Sequence, residues 1–95
     1  MEFEWDPEKA AENAKKHGVD FSEGMTVFND PLELTISDPD HSENEQRFLS
    51  IAASTAGGLL VVAYTERGGR TRIIDAREAS AREQRHYEST NPAKR

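Results

Sequence analysis

An α+β fold with two N-terminal helices, a four-stranded antiparallel sheet and a C-terminal helix is predicted by three features of the sequence. Complete start and stop signals bracket a helix near the N-terminus. Apolar residues alternate or run together in short segments through the middle. Glycine doublets at Gly57-Gly58 and Gly68-Gly69 separate those segments. The order is α-α-β-β-β-β-α, and short turns between consecutive strands predict an antiparallel meander. Helices set before and after the strands predict segregated layers.

Asp6-Pro7 opens the first helix, with aspartate as N-cap and proline at the first helical position. Glu8 falls in the first turn and Lys15, Lys16 and His17 in the last, as the helix dipole favours. Gly18 then supplies the left-handed residue that ends it. Asp20 and Glu23 have capping-box spacing and predict a short second helix, roughly 21–28, stopped by Asn29-Asp30-Pro31. Leu32, Leu34 and Ile36 alternate with Glu33 and Thr35, which predicts a half-buried strand. A polar, acidic loop runs from Ser37 to Glu45, and Phe48, Leu49 and Ile51 lie in the next strand. The run 59–64 is apolar on both faces and predicts a central strand. After the second glycine doublet, 71–76 with Ile73 and Ile74 predicts the last strand. A final helix covers roughly 78–89. Its start is open, because Asp75…Glu78 and Ser80…Glu83 both match a capping box. One domain over 1–89 and a C-terminal tail over 90–95 are expected, with Trp5 packing the first helix.

Length and composition narrow the function classes. A chain of 95 residues buries only roughly 60–65% of its unfolded surface, so its core is thin. The absence of cysteine excludes a disulfide scaffold and thiolate chemistry. No apolar run reaches a membrane-spanning length, and Met1-Glu2-Phe3-Glu4 lacks the features of a signal peptide, so a cytoplasmic location is expected. The net charge of −6 argues against a non-specific nucleic-acid binder. The distribution argues for a local anion-facing patch. Residues 1–65 hold 4 basic and 13 acidic residues, net −9, whereas 66–95 hold 8 and 5, net +3. Six of those eight basic residues are Arg67, Arg70, Arg72, Arg77, Arg82 and Arg85, and guanidinium forks match phosphate oxygens. The same pattern also describes a solvated sheet edge and helix face laced with Glu–Arg pairs. No helix-turn-helix or basic stripe supports a DNA-binding regulator acting alone. His41 with Asp38, Asp40 and Glu43 lacks metal-ligand spacing, and no metal or other cofactor is expected.

Two stretches carry a family resemblance. Phe3-Glu4-Trp5-Asp6-Pro7-x-Lys9, Asn13, Lys16-His17-Gly18-Val19, Phe21 and Val27-Phe28-x-Asp30-Pro31 resemble the opening of the BrnT toxin family. Thr65-Glu66-Arg67-Gly68-x-Arg70-x-Arg72-Ile73-Ile74-x-Ala76-Arg77, with Arg82-Glu83 and Tyr87, resembles that family's C-terminal signature. The resemblance implies a RelE-like fold and metal-independent endoribonuclease activity that cleaves mRNA and arrests translation. It also implies neutralisation by a BrnA-type ribbon-helix-helix antitoxin, through which alone the hetero-oligomer would meet operator DNA. In this mechanism the RNA 2′-hydroxyl attacks its own phosphate while the protein supplies positioning and charge. The competing expectation is a cleavage-deficient homologue that acts as a binding module and co-repressor with its antitoxin.

Arg72, Arg77 and Arg82 match signature positions and are the phosphate-facing catalytic candidates. Regular strand parity sets Arg72 and Arg77 on opposite faces, so a bulge or the turn into the helix must bring them together. Glu66 is a candidate general base or a group that orients an arginine. His17 suits acid–base work by type, and suits stabilising a helix C-terminus by position. Arg67, Arg70 and Arg85 are candidate RNA contacts, and Tyr87 either stacks on a base or closes the core. His86 and His41 have no assigned role. The sequence departs from the family at Asp75, commonly serine, and at Gln84, in a stretch usually richer in arginine. Asp75 either pairs with Arg77 and attenuates the site or caps the last helix.

Overall fold

A computed structural model describes residues 1–38 and 45–90. Strand β1 is Glu2–Glu4, and helix α1, Pro7–His17, forms where its local signals place it. The Asp6 carboxylate accepts from Glu8 N at 2.9 Å, and Gly18, at φ 71°, donates its N–H to Ala14 O at 2.9 Å. The second helical segment divides. Helix α2 is Phe21–Gly24 and a 3₁₀ turn follows over Met25–Asn29. A Cβ on Gly24 would lie 3.2 Å from the Ala76 Cβ, so this backbone rides directly on the sheet. The expected Asp20/Glu23 box is absent. Asp20 makes no side-chain cap bond, and the Glu23 carboxylate instead accepts from Ser54 Oγ at 2.9 Å.

The sheet then builds as β2 (Leu34–Ser37), β3 (Arg47–Ala53), β4 (Leu59–Arg67) and β5 (Arg70–Glu78). Gly68 and Gly69 have φ of 58° and 81°, the paired left-handed residues of a tight hairpin. Sheet order is β1-β5-β4-β3-β2. The expectation of four antiparallel strands is therefore corrected: the sheet has five strands and is mixed, because β1 adds in parallel beside β5. Glu2 pairs with Arg70, Phe3 with Thr71 and Glu4 with Arg72. Three residues are too few for a local strand signal. Their place is fixed by cross-strand charge pairs and by Phe3 packing on Phe28, with ring centroids 5.4 Å apart.

The register of β4 on β5 shifts once. Tyr64 pairs with Ile73 and Ala63 with Asp75, leaving Ile74 as the extra residue of a β-bulge. Arg72 pairs with Thr65 and Arg77 with Val61, two β4 residues of the same parity. The bulge thus sets Arg72 and Arg77 on one face, where regular alternation would separate them.

That bulged sheet carries a core on each side. On one side Phe21, Val27, Leu60, Val62, Ile73 and Ala76 pack beneath the N-terminal helices, with Trp5 edge-on to Phe21 at 6.0 Å. On the other, Ile51 and Val61 pack under helix α3, Ala81–Thr90, through Ala79 and Tyr87. The start of α3 settles on Ser80. Glu83 N donates to Ser80 Oγ at 3.2 Å, and Ser80 N donates to Glu83 Oε1 at 2.8 Å. Asp75 therefore does not cap this helix. Asp30 ties three elements together, accepting from Leu32 N at 2.8 Å, Ala53 N at 2.9 Å and Tyr87 Oη at 2.6 Å. No described helix is long and apolar enough to cross a membrane.

Candidate nucleic-acid interface

Among the described residues α3 is the only helix on the second face, and it covers one end. Arg72 and Arg77 project from the same face by register, and Arg82, on α3, lies over the β2–β3 side of that face with Ile36, Leu49 and Ile51. The β4 partners of Arg72 and Arg77 are four residues apart, about 13 Å along the strand.

Each strand arginine already holds a carboxylate. Arg72 Nη1 donates to Glu4 Oε2 at 2.8 Å, and Arg70 lies 3.4 Å from Glu2 Oε1 and 3.5 Å from Glu4 Oε1. The Arg72 bond holds the Glu4 carboxyl below its usual range, with Arg70 adding to the effect. Arg67 forks onto Glu45, donating from Nε at 2.9 Å. Arg77 makes two parallel bonds of 2.8 Å to Glu83 and a third, 3.3 Å, to Glu78 O. By contrast, Arg82 and Arg85 are exposed and have no carboxylate at ion-pair distance among the described residues. The patch that charge counting marked as basic is thus largely compensated from within, and its uncommitted charge sits on α3.

Other candidates lie elsewhere. Glu66 pairs with Thr71, on the face opposite Arg72, and accepts from Thr71 Oγ1 at 3.2 Å. His17 Nε2 stands 3.6 Å from Asp75 Oδ1, so Asp75 partners α1 while Glu83 takes Arg77. Tyr87 is 4% exposed and bonded to Asp30; it closes the core and is not available to stack on a base. Gln84 Nε2 donates to Ala79 O at 3.2 Å, beside the start of α3. His86, which has no role assignable from the sequence, lines a cleft together with Arg82. Their i, i+4 spacing on one helix was the available signal. No three His, Cys, Asp or Glu side chains converge on a metal-sized site among the described residues. Asp40, His41 and Glu43 of the acidic loop lie outside those residues.

Glu83 carries a pH prediction. The Arg77 bond, aided by the Ser80 N–H, pulls its carboxyl from an ordinary 4.5 to about 2. A folded value below the unfolded one adds stability that is complete above about pH 4.5 and is lost as pH falls through about 2. With both side chains partly exposed, the contribution is of the order of 1–2 kcal/mol. Thermal melts between pH 5 and pH 2 are expected to fall less steeply for Glu83→Gln than for the wild type. Equal slopes would remove Glu83 as the acid-sensitive group.

Residues 5–83 match the family model described as the ribonuclease toxin, BrnT, of type II toxin–antitoxin systems. The 1.1 Å crystal structure of the Brucella abortus ribonuclease toxin BrnT is similar at a TM-score of 0.62 and 23% sequence identity. That alignment covers 84% of this chain and 97% of the Brucella chain. At this identity the likeness speaks for the fold. No curated protein matches the chain at a significant level.

Proposed function

Because the chain belongs to the BrnT family of ribonuclease toxins of type II toxin–antitoxin systems, we propose that it is a metal-independent endoribonuclease whose substrate lies across the arginine-bearing face of the sheet. One observation carries this reading. The bulge at Ile74 sets Arg72 and Arg77 on a common face, and α3 carries Arg82 over the β2–β3 side of the same face. Spread over about 13 Å of strand, Arg72 and Arg77 suit two phosphates of one RNA strand separated by an intervening nucleotide. Guanidinium groups that approach the phosphorane stabilise the charge that develops when the 2′-hydroxyl attacks. The products are a 2′,3′-cyclic phosphate and a free 5′-hydroxyl.

Family membership implies an antitoxin partner. The partner proposed is a BrnA-type ribbon-helix-helix protein that contacts operator DNA on behalf of the complex. A second reading, a cleavage-deficient binding module, is favoured by the carboxylates that occupy Arg67, Arg70, Arg72 and Arg77. One experiment separates the two. Protein freed of antitoxin is incubated with RNA in EDTA and the new 3′ ends are analysed. Cleavage leaving cyclic or 3′-phosphate ends supports the enzyme. Loss of activity in EDTA sinks metal independence. Absence of cleavage at any metal content, with antitoxin binding intact, selects the binding module.

A further inference from the structure

Between α3 and the β2–β3 margin of the sheet lies a cleft of about 270 Å³. Its floor is aliphatic, made by Ile36, Leu49 and Ile51, and its rim carries Arg82, Glu83 and His86. Ile36 is 39% exposed, a large apolar side chain left open to water beside the exposed Arg82 guanidinium, which has no carboxylate at ion-pair distance among the described residues. The volume is below the roughly 300–1,000 Å³ of a site that encloses a whole small molecule. It suits one flat group of a longer ligand whose remainder stays outside. Glu83, the one acid on the rim among the described residues, is engaged by Arg77 and by Ser80 N. The charge available to a ligand here is therefore positive.

We propose that this cleft is a ribonucleotide subsite in which the aliphatic floor takes the base, Arg82 the phosphate and His86 the departing oxygen. The proposal rests on the ribonuclease reading and names its general acid. The 2′-hydroxyl gives its proton to solvent and its oxygen bonds to phosphorus. The P–O5′ bond breaks, and the 5′-oxygen takes a proton from the His86 imidazolium. Imidazole is the side chain that exchanges protons near neutrality. Among the described residues that line the cleft, the charged groups beside His86 are Arg82 and Glu83 of its own helix, and β2 and β3 present Ile36, Leu49 and Ile51. His86 was without a role in the sequence because the cleft is made by strands that lie 35 to 50 positions earlier in the chain.

The test begins with binding. The full chain is titrated with uridine 3′-monophosphate and adenosine 3′-monophosphate, and separately with inorganic phosphate, while histidine ring resonances are followed by NMR. Saturable shifts at His86 and none at His17 are expected, with affinity falling about tenfold in Arg82→Gln and inorganic phosphate binding more weakly than either nucleotide. In a cleavage assay His86→Gln is expected to lower kcat on the order of 10²-fold. KM should stay within a few-fold, and the fall in kcat at alkaline pH should disappear. Unmoved His86 resonances, an unaffected Arg82→Gln, or inorganic phosphate binding as well as the nucleotides would overturn the subsite, even in a protein that cleaves RNA. Nucleotide binding at His86 without RNA cleavage would keep the subsite but overturn the ribonuclease reading, and with it the proton-donor role.

Discussion

Replacing Asn13 with alanine is expected to destabilise the fold by about 3 kcal/mol or more, the largest stability effect of any single polar substitution proposed for this chain. Strand β1 ends at Glu4, opposite Arg72, so among the described residues the rest of β5 has no strand on its outer side. Helix α1 closes that edge with one side chain. Asn13 Nδ2 donates to Ala76 O at 2.7 Å and to Val19 O at 2.9 Å, and Asn13 Oδ1 accepts from Ala76 N at 3.1 Å. The amide thus meets both backbone groups of Ala76, as a neighbouring strand would. Asn13 is 5% exposed and Ala76 fully buried. Truncation leaves one N–H and two carbonyls without partners, at about 1–3 kcal/mol each, partly relieved by relaxation. Against a total stability of about 5–15 kcal/mol, this is a large fraction. Denaturant unfolding is the measurement, and the midpoint should fall without a change in slope. A loss under about 1 kcal/mol would mean that water or a shifted α1 closes the edge equally well.

Asn13 also shows which kinds of information a sequence carries. Helix α1 was legible because its signals are local: Asp6, Pro7 and Gly18 act within one turn of the residues they cap. The same holds for the Gly68-Gly69 hairpin. Strand β1 was not legible, because its three residues acquire a partner only when β5 arrives 68 positions later. The consecutive Ile73 and Ile74 break strand alternation, which was a visible hint of the bulge. Where the extra residue falls, however, is fixed by pairing with Tyr64 and Ala63. The candidate site divides in the same way. The arginines were visible as a cluster, but the carboxylates of Arg67, Arg70 and Arg72 arrive from Glu45, Glu2 and Glu4, far away in sequence. In the sequence, the groups near Asp75 are Arg77 and Glu78. In the fold, Glu83 reaches Arg77 first, Ser80 starts the helix, and His17 of α1 stands beside Asp75.

Arg77→Ala is expected to reduce RNA cleavage on the order of 10² to 10³, as for other lost donors that stabilise developing charge. For a ribonuclease, the position of Arg77 suits this role. Arg77 lies on the face that also bears Arg72, and its partner Glu83 lines the cleft that holds Arg82 and His86. The substitution has a structural cost as well, because Glu83 loses the fork that holds its charge, about 1–2 kcal/mol. A looser α3 would by itself lower activity, so a control is needed. Tyr87→Phe supplies it. It removes the bond to Asp30 and unsettles α3 by a similar amount, leaving every guanidinium in place. Single-turnover cleavage is measured for wild type, Arg77→Ala, Arg77→Lys and Tyr87→Phe, at a temperature where all remain folded. Arg77→Lys keeps the charge but not the two-pronged geometry, and is expected to fall between wild type and alanine. Tyr87→Phe is expected to stay within a few-fold of wild type. If Tyr87→Phe falls as far as Arg77→Ala, the arginine matters only as an anchor for α3, and its place in charge stabilisation is lost.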